Sequence, residues 1–286
     1  MKIGCRVTYT KNANSLRYVE SLEAKFQEFI DMGIKTCQLN VWEQNLMTDE
    51  SAAHILECCK KTGMEITGLW AGWSGPCEWN FNVGPAVIGL VPAAYRAQRT
   101  KELINASAFA EKLGVTDIIT HCGFIPENPN DPDFMGVVGA LRQICGIMKQ
   151  RGQYFLFETG QETPITLVRT IEAVGTGNLG INLDTGNLIL YGKANPVDAL
   201  DVFGKYVRNT HIKDGYYPTT GNDLGQEARM GDGKANFPAL IAKLKELGYT
   251  GPLTIERENH GEQQKKDIIY AKEMLERIKA DLGIED

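Results

Sequence analysis

The feature that most constrains this chain is a change of hydropathy period that repeats eight times. Short runs rich in β-branched and aromatic residues are IGCRV (3–7), TCQLN (36–40), EITGLW (65–70), TDIIT (116–120), YFLFE (154–158), LGINLD (179–184), VRNTHI (207–212) and PLTIE (252–256). Between and after them lie longer segments with the 3.6-residue repeat of an amphipathic helix, covering about 18–31, 49–61, 94–112, 134–150, 164–174, 196–204, 236–247 and 264–280. Strands that always alternate with helices must run parallel, with the helices covering the sheet. Punctuation agrees: MGIKTCQLN, KTGMEITGLW, KLGVTDIITH and ELGYTGPLTIE each place Gly just past a helix and before a strand. Thr163-Pro164 and Asn195-Pro196 place a cap and a first-turn proline where helices should begin. Eight such units in 286 residues predict an α/β fold, one (β/α)8 TIM barrel spanning 1–286 as a single catalytic domain. An open doubly wound sheet would want a Gly-rich phosphate loop after the first strand, and VTYTKNANS is not one.

Composition narrows the function classes. A formal charge of −6 without a dense Lys/Arg cluster argues against a nucleic-acid partner. No apolar run approaches membrane-spanning length, and MKIGCRVTYTKN lacks the apolar core of a signal peptide, so neither a membrane nor export is expected. The cysteines number seven, with no CxxC spacing, which reads as reduced thiols and a cytoplasmic location. Cys122, next to His121, reads as a packing residue. Two connections are long, 71–93, with Trp73, Trp79 and Phe81, and 213–235. Both follow strands, which on a barrel puts them at the C-terminal face, where active sites are built.

The strand ends carry the chemistry. Strand five closes on Glu158, six on Asp184, seven on His211 and eight on Glu256, while His121 follows strand four. In GINLDTGNLILYG a buried-strand pattern runs straight into Asp184 and then a tight Thr185-Gly186-Asn187 turn. A carboxylate there needs a partner, because burying an unpaired ion costs several kcal/mol or more. One rim carboxylate is ordinarily a salt-bridge partner or helix cap. Three beside one imidazole on neighbouring strands would repel one another unless a cation compensates, and a divalent metal bound by Glu158, Asp184, His211 and Glu256 supplies it.

The motifs FETG, LDTGN, NTHIKDG, RMGDG and GYTGPLTIERE resemble the sugar-phosphate isomerase/epimerase group of xylose-isomerase-like TIM barrels, which includes ketose 3-epimerases and inosose dehydratases. The resemblance covers nearly the whole chain and is strongest over about 150–260. It implies that the metal is manganese, with magnesium, cobalt or zinc as alternatives, held by those four residues, and that Glu158 and Glu256 act as an acid/base pair on opposite faces of the substrate. It also implies a small carbohydrate substrate and a homodimer or homotetramer. Epimerases of free ketoses in the group carry His where this chain has Asn187. Asp-x-Gly-Asn looks more like relatives acting on phosphorylated or otherwise modified sugars.

The chemistry implied is proton abstraction beside a carbonyl. A metal chelating the carbonyl and an adjacent hydroxyl acidifies the C–H between them and stabilises the enediolate. Glu158 removes the proton and Glu256 returns it on the other face, with no organic cofactor. The alternative on the same scaffold is a lyase or dehydratase acting on a keto-inositol or 3-keto-glycoside, with His121 or Lys213 as leaving-group acid. A non-catalytic sugar-binding barrel is the third reading. Supporting residues each carry two readings. His121 is a substrate contact or structural; Arg229 holds substrate or is a solvated loop charge. Lys213 contacts substrate, with Asp214 orienting a neighbour. Trp70 and Trp73 floor a sugar site or belong to the core. His54 and His260 read as surface or structural residues.

Overall fold

A computed structural model describes residues 1–10 and 22–285. The strands are β1 (Ile3–Thr8), β2 (Thr36–Val41), β3 (Glu65–Ala71), β4 (Asp117–Thr120), β5 (Tyr154–Glu158), β6 (Leu179–Asp184), β7 (Val207–Ile212), β8 (Asp214–Tyr216), β9 (Gln226–Ala228) and β10 (Leu253–Ile255). All but β8 and β9 pair in parallel in the order β1-β2-β3-β4-β5-β6-β7-β10, and β10 returns to β1 to close the barrel. The eight strands expected from the period changes are these eight. Helices α1 (Leu22–Asp31), α2 (Asp49–Thr62), α3 (Gly84–Val87), α4 (Ala93–Lys112), α5 (Pro132–Gln150), α6 (Pro164–Val174), α7 (Thr185–Leu190), α8 (Pro196–Phe203), α9 (Phe237–Glu246) and α10 (Gly261–Asp281) connect them.

Local chemistry explains the boundaries. Thr48 caps α2 by accepting from the Ser51 N–H, and the helix ends on Gly63, whose φ of +79° a side chain would strain. Asn195 caps α8 as expected. Thr163 does not cap α6, because its hydroxyl bonds Thr166 Oγ1 instead, at 2.9 Å. One further expectation needs correction. The turn after Asp184 is the first turn of α7 rather than a tight turn. The 213–235 connection holds the antiparallel hairpin β8/β9, and the 71–93 connection holds α3. The N-terminal end of the first expected helix, 18–21, lies outside the described residues.

Alternation along the strands sorts the interior. In β2, Cys37, Leu39 and Val41 join the large apolar cluster between sheet and helices. Gln38 points the other way and bonds Asn182 of β6 and Asn209 of β7 across the barrel. The barrel therefore has a polar floor beneath its C-terminal rim. All seven cysteines are free. Burial pushes the Cys122 thiol well above its ordinary range, which suits packing rather than nucleophilic chemistry. Among the described residues no helix is long and apolar enough to cross a membrane.

Candidate metal centre

Strand register assembles the rim. Asp184 and His211 are directly paired across β6 and β7, His211 pairs with Thr254 of β10, and Glu158 pairs with Asn182, two residues before Asp184. Glu256 follows β10, its N–H donating to Ile212 O at 3.2 Å. One ligand atom from each of Glu158, Asp184, His211 and Glu256 lies within 4.8 Å of the others, and all four residues are buried. His211 Nδ1 stands 3.0 Å from Glu158 Oε1, 3.2 Å from Glu256 Oε2 and 3.6 Å from Asp184 Oδ2.

The other imidazole nitrogen is fixed from below. His211 Nε2–H donates to Gln38 Oε1 at 2.7 Å, and Gln38 is oriented by its own amide N–H groups, which donate to Asn182 Oδ1 at 2.8 Å and Asn209 Oδ1 at 2.7 Å. Nδ1 must therefore face the carboxylates, as a metal-ligating histidine requires. Of the three acids only Asp184 is raised, while against burial the neighbouring cations hold Glu158 low and Lys213, His211 and Arg6 hold Glu256 well below its ordinary range. Burial, joined by the neighbouring Glu256 and Glu158, pushes the Asp184 carboxyl up to about 8. At Glu158 burial acts upward too, but His121 and His211 outweigh it and bring the carboxyl down to about 2. Burial likewise disfavours a charged His211, yet Glu256 and Glu158 hold it protonated well above its ordinary range. A positive charge thus belongs at the centre of the cluster.

Two orphaned atoms test whether a metal fits. Asp184 Oδ2 and Glu256 Oε2 are buried without a hydrogen-bond partner, and both face the cluster. Their companion oxygens are occupied. Asp184 Oδ1 caps α7, accepting the Asn187 N–H at 2.7 Å, and Glu256 Oε1 pairs with Arg6 Nη1 at 2.9 Å. Glu158 divides similarly, with Oε2 taking the Trp70 indole N–H and Oε1 facing the cluster. Two of the acids so offer an unpartnered oxygen, the third offers Glu158 Oε1, which His211 and Asn187 already touch, and with His211 Nδ1 the set is three oxygens and one nitrogen. That donor set is consistent with a divalent ion that would displace the Nδ1 proton.

The remaining sequence candidates fall into two groups. Asn187 Nδ2 donates to Glu158 Oε1 at 3.4 Å; Lys213 Nζ reaches Asn187 Oδ1 at 3.1 Å and Glu256 Oε2 at 3.6 Å; His121 Nε2 is 3.5 Å from Glu158 Oε1. These three border the cluster. Lys213 is buried, and Glu258 Oε1 at 2.7 Å shares its charge. Arg229 is not brought there: it is exposed, pairs with Asp232 at 3.0 Å and covers the Tyr270 ring at 4.2 Å. Asp214 holds the loop, not a site residue: its oxygens accept the N–H groups of Gly231, Gly233, Gly215 and Ala235 at 2.9–3.0 Å. A Cβ at Gly233 would overlap Asp214 Oδ1, so the Gly-Asp-Gly run is a backbone wrap around one carboxylate. His54 and His260 are exposed.

Trp70 stacks on Trp42 at 5.4 Å and 17°, and Trp73 and Trp79 close in on Trp42 at 5.2 and 6.4 Å. The chain's four tryptophans thus form one wall, continued by His121, 5.0 Å from Trp79. Sequence reading missed Trp42, Arg6 and Gln38. The β2 pattern carried a signal for Gln38, a polar side chain inside a buried strand. Buried Arg99 of α4 pins the loop bearing Trp73 and Trp79 through the carbonyls of Val87 and Gly89 at 2.7 Å, Pro76 at 3.0 Å and Ser74 at 3.2 Å.

A closed (β/α)8 barrel with a buried carboxylate–imidazole cluster at its C-terminal rim defines the class of protein. The chain belongs to the xylose isomerase-like TIM barrel family, which it matches over residues 26–278. It is similar to the xylose isomerase domain protein from Planctomyces limnophilus, at 33% identity over 98% of each chain with a TM-score of 0.88. A D-tagatose 3-epimerase-like protein shares the fold at 20% identity, over 99% of this chain and 98% of that one, with a TM-score of 0.75. An uncharacterized protein of Methanocaldococcus jannaschii is 23% identical over 275 residues, 96% of this chain and 78% of that one.

Proposed function

We propose that the protein is a divalent-metal-dependent epimerase or isomerase of a keto-sugar or sugar derivative, with manganese as the ion. The observation that carries this reading is the buried quartet in which Asp184 Oδ2 and Glu256 Oε2 lack a hydrogen-bond partner and, with Glu158 Oε1, turn toward His211 Nδ1. A divalent ion held there would polarise a substrate carbonyl and its neighbouring hydroxyl, and so acidify the C–H between them. The protein's own groups do the rest. Glu158 and Glu256 stand on β5 and after β10, separated by the two intervening rim residues, and serve as base and acid on opposite faces of the bound carbon. Trp70 and Arg6 orient them through their second oxygens. Asn187 and Lys213 present an amide and an ammonium to substrate oxygens, and the tryptophan wall shields the site from water.

Elemental analysis of wild type and Asp184→Ala after manganese supplementation tests the site. One ion per wild-type chain, absent from the variant, supports it. Solvent-deuterium exchange at a substrate carbon, lost in Glu158→Gln and Glu256→Gln, tests the chemistry; exchange unchanged in both refutes it. Elimination by a lyase or dehydratase is the second reading. One observation favours it: His121 Nδ1 is buried and unpartnered, and so is free to serve a leaving group. Product identity separates the two, because elimination consumes the substrate whereas epimerisation reaches a reversible mixture.

A further inference from the structure

A row of buried polar groups leads away from the candidate metal-centre residues along the β5–α6 connection, and the protein satisfies it only weakly. Gln161 and Glu162 are each 2% exposed and Tyr191 is 5% exposed. Both polar ends of the Gln161 amide, both Glu162 oxygens and the Tyr191 hydroxyl make no well-formed hydrogen bond, having only the weaker contacts of Tyr191 with the Gln161 amide and of Glu162 with the Gln161 and Glu162 N–H groups. Five polar atoms without a well-formed hydrogen bond on three neighbouring buried side chains are unusual in a protein interior, where a fully unpaired atom costs about 1–3 kcal/mol. The row is continuous with the candidate centre. A Cβ placed on Gly160 would stand 3.4 Å from Asn187 Cβ, 3.5 Å from His121 Cε1 and 3.5 Å from Tyr191 Cδ2, so these three side chains converge on one point. Asn187 and His121 in turn touch Glu158 Oε1. Phe81 and Phe124, from the loops after β3 and β4, close on the Tyr191 ring edge-to-face at 5.9 Å each.

We propose that Gln161, Glu162 and Tyr191 form a second subsite that binds the hydroxyl groups of an uncharged polyol end of the substrate, lying over β4–β6 and away from the reacting carbons. It rests on the keto-sugar reading for the molecule that enters, and it adds what that reading leaves open, the chemical class of the substrate's far end. The three side chains together offer donors and acceptors in both senses, as a hydroxyl needs. A phosphate or carboxylate would want a cation, and among the described residues no Lys or Arg bonds Glu162. Lys193 acts on it only at a distance, and burial pushes the Glu162 carboxyl up to about 8, so that it stays protonated and donates at neutral pH.

The chain's tryptophans all lie in the wall beside this row, so their fluorescence reports ligand binding directly. The test titrates D-sorbitol, and D-gluconate as the same chain with an anionic end, into wild type, Tyr191→Phe, Gln161→Ala and Glu162→Gln, each checked for native circular dichroism and metal content. Expected is saturable quenching by sorbitol in the wild type, weakened about tenfold or more by Tyr191→Phe and by Gln161→Ala with metal content unchanged. Glu162→Gln keeps the shape and serves as a third reading; Tyr191→Phe, which removes one oxygen, decides should either of the others misfold. Equal sorbitol affinity in wild type and Tyr191→Phe, or no quenching by sorbitol in the wild type, overturns the subsite. So does gluconate binding that is as tight as sorbitol's and weakened by the same variants. The epimerase reading fails separately, in the deuterium-exchange assay, whatever these affinities are.

Discussion

Replacing Gln38 with Met isolates what holds the candidate metal ligand His211 in place. The substitution keeps the length of the side chain and removes both hydrogen-bonding ends. His211 Nε2–H then loses its acceptor at 2.7 Å, and Asn182 Oδ1 loses its donor at 2.8 Å. Asn209 Oδ1 keeps the Thr210 N–H at 3.1 Å, so two buried groups are orphaned, not three. At about 1–3 kcal/mol for each of the two orphaned groups, the loss of folding stability should be roughly 2–6 kcal/mol. Metal affinity should fall separately, by roughly 10–100-fold or about 1.4–2.7 kcal/mol, because the imidazole is freed to rotate and is less basic. Urea denaturation without added metal measures the first quantity, and manganese titration of the folded variant by calorimetry measures the second. An unchanged manganese affinity beside the expected stability loss would refute the reasoning, since His211 would then be held by its carboxylate neighbours and not from the barrel floor.

Three further outcomes follow from the same structure. Glu162 is raised to about 8 from an ordinary 4.5, so its proton is held by the folded state, and the associated stability is full below pH 4.5 and lost as pH rises to about 8. Glu162→Gln should flatten that slope and exceed the wild type in stability at pH 9 by up to about 5 kcal/mol, measured by urea midpoints at pH 5 and 9. Arg99→Met should release four carbonyl contacts, lowering stability by roughly 3–5 kcal/mol and shifting tryptophan emission to the red as Trp73 and Trp79 become wet; an unshifted spectrum would show that the loop holds without it. Gly233→Ala should displace the Asp214 carboxylate and speed amide exchange across 229–235 while leaving β6 and β7 protected, with protection unchanged in the loop as the contrary result.

The eight strands and the clustered rim residues were legible in the sequence because both rest on local rules. A period of two changing to 3.6 marks each unit, and a lone acid or imidazole at the end of an apolar run marks the rim, so Glu158, Asp184, His211 and Glu256 could be read before any contact was known. Other features depended on which strands face one another. Gln38 lies 173 residues from the histidine it orients, and Arg6 lies 250 residues from Glu256; neither sits in a motif. Arg229 read equally as a substrate contact or a solvated loop charge, and only the hairpin, which turns it outward onto Tyr270, decides for the second. Trp42, alone at the end of β2, joins the other tryptophans only when β2 and β3 pair. Sequence determined the units, their order and the residue types at the rim, since these follow from hydropathy and short-range turn chemistry. Only the tertiary structure decided which oxygen of each acid faces the cluster and which polar groups are left weakly satisfied beside them, because those depend on barrel closure and register between residues far apart in the chain.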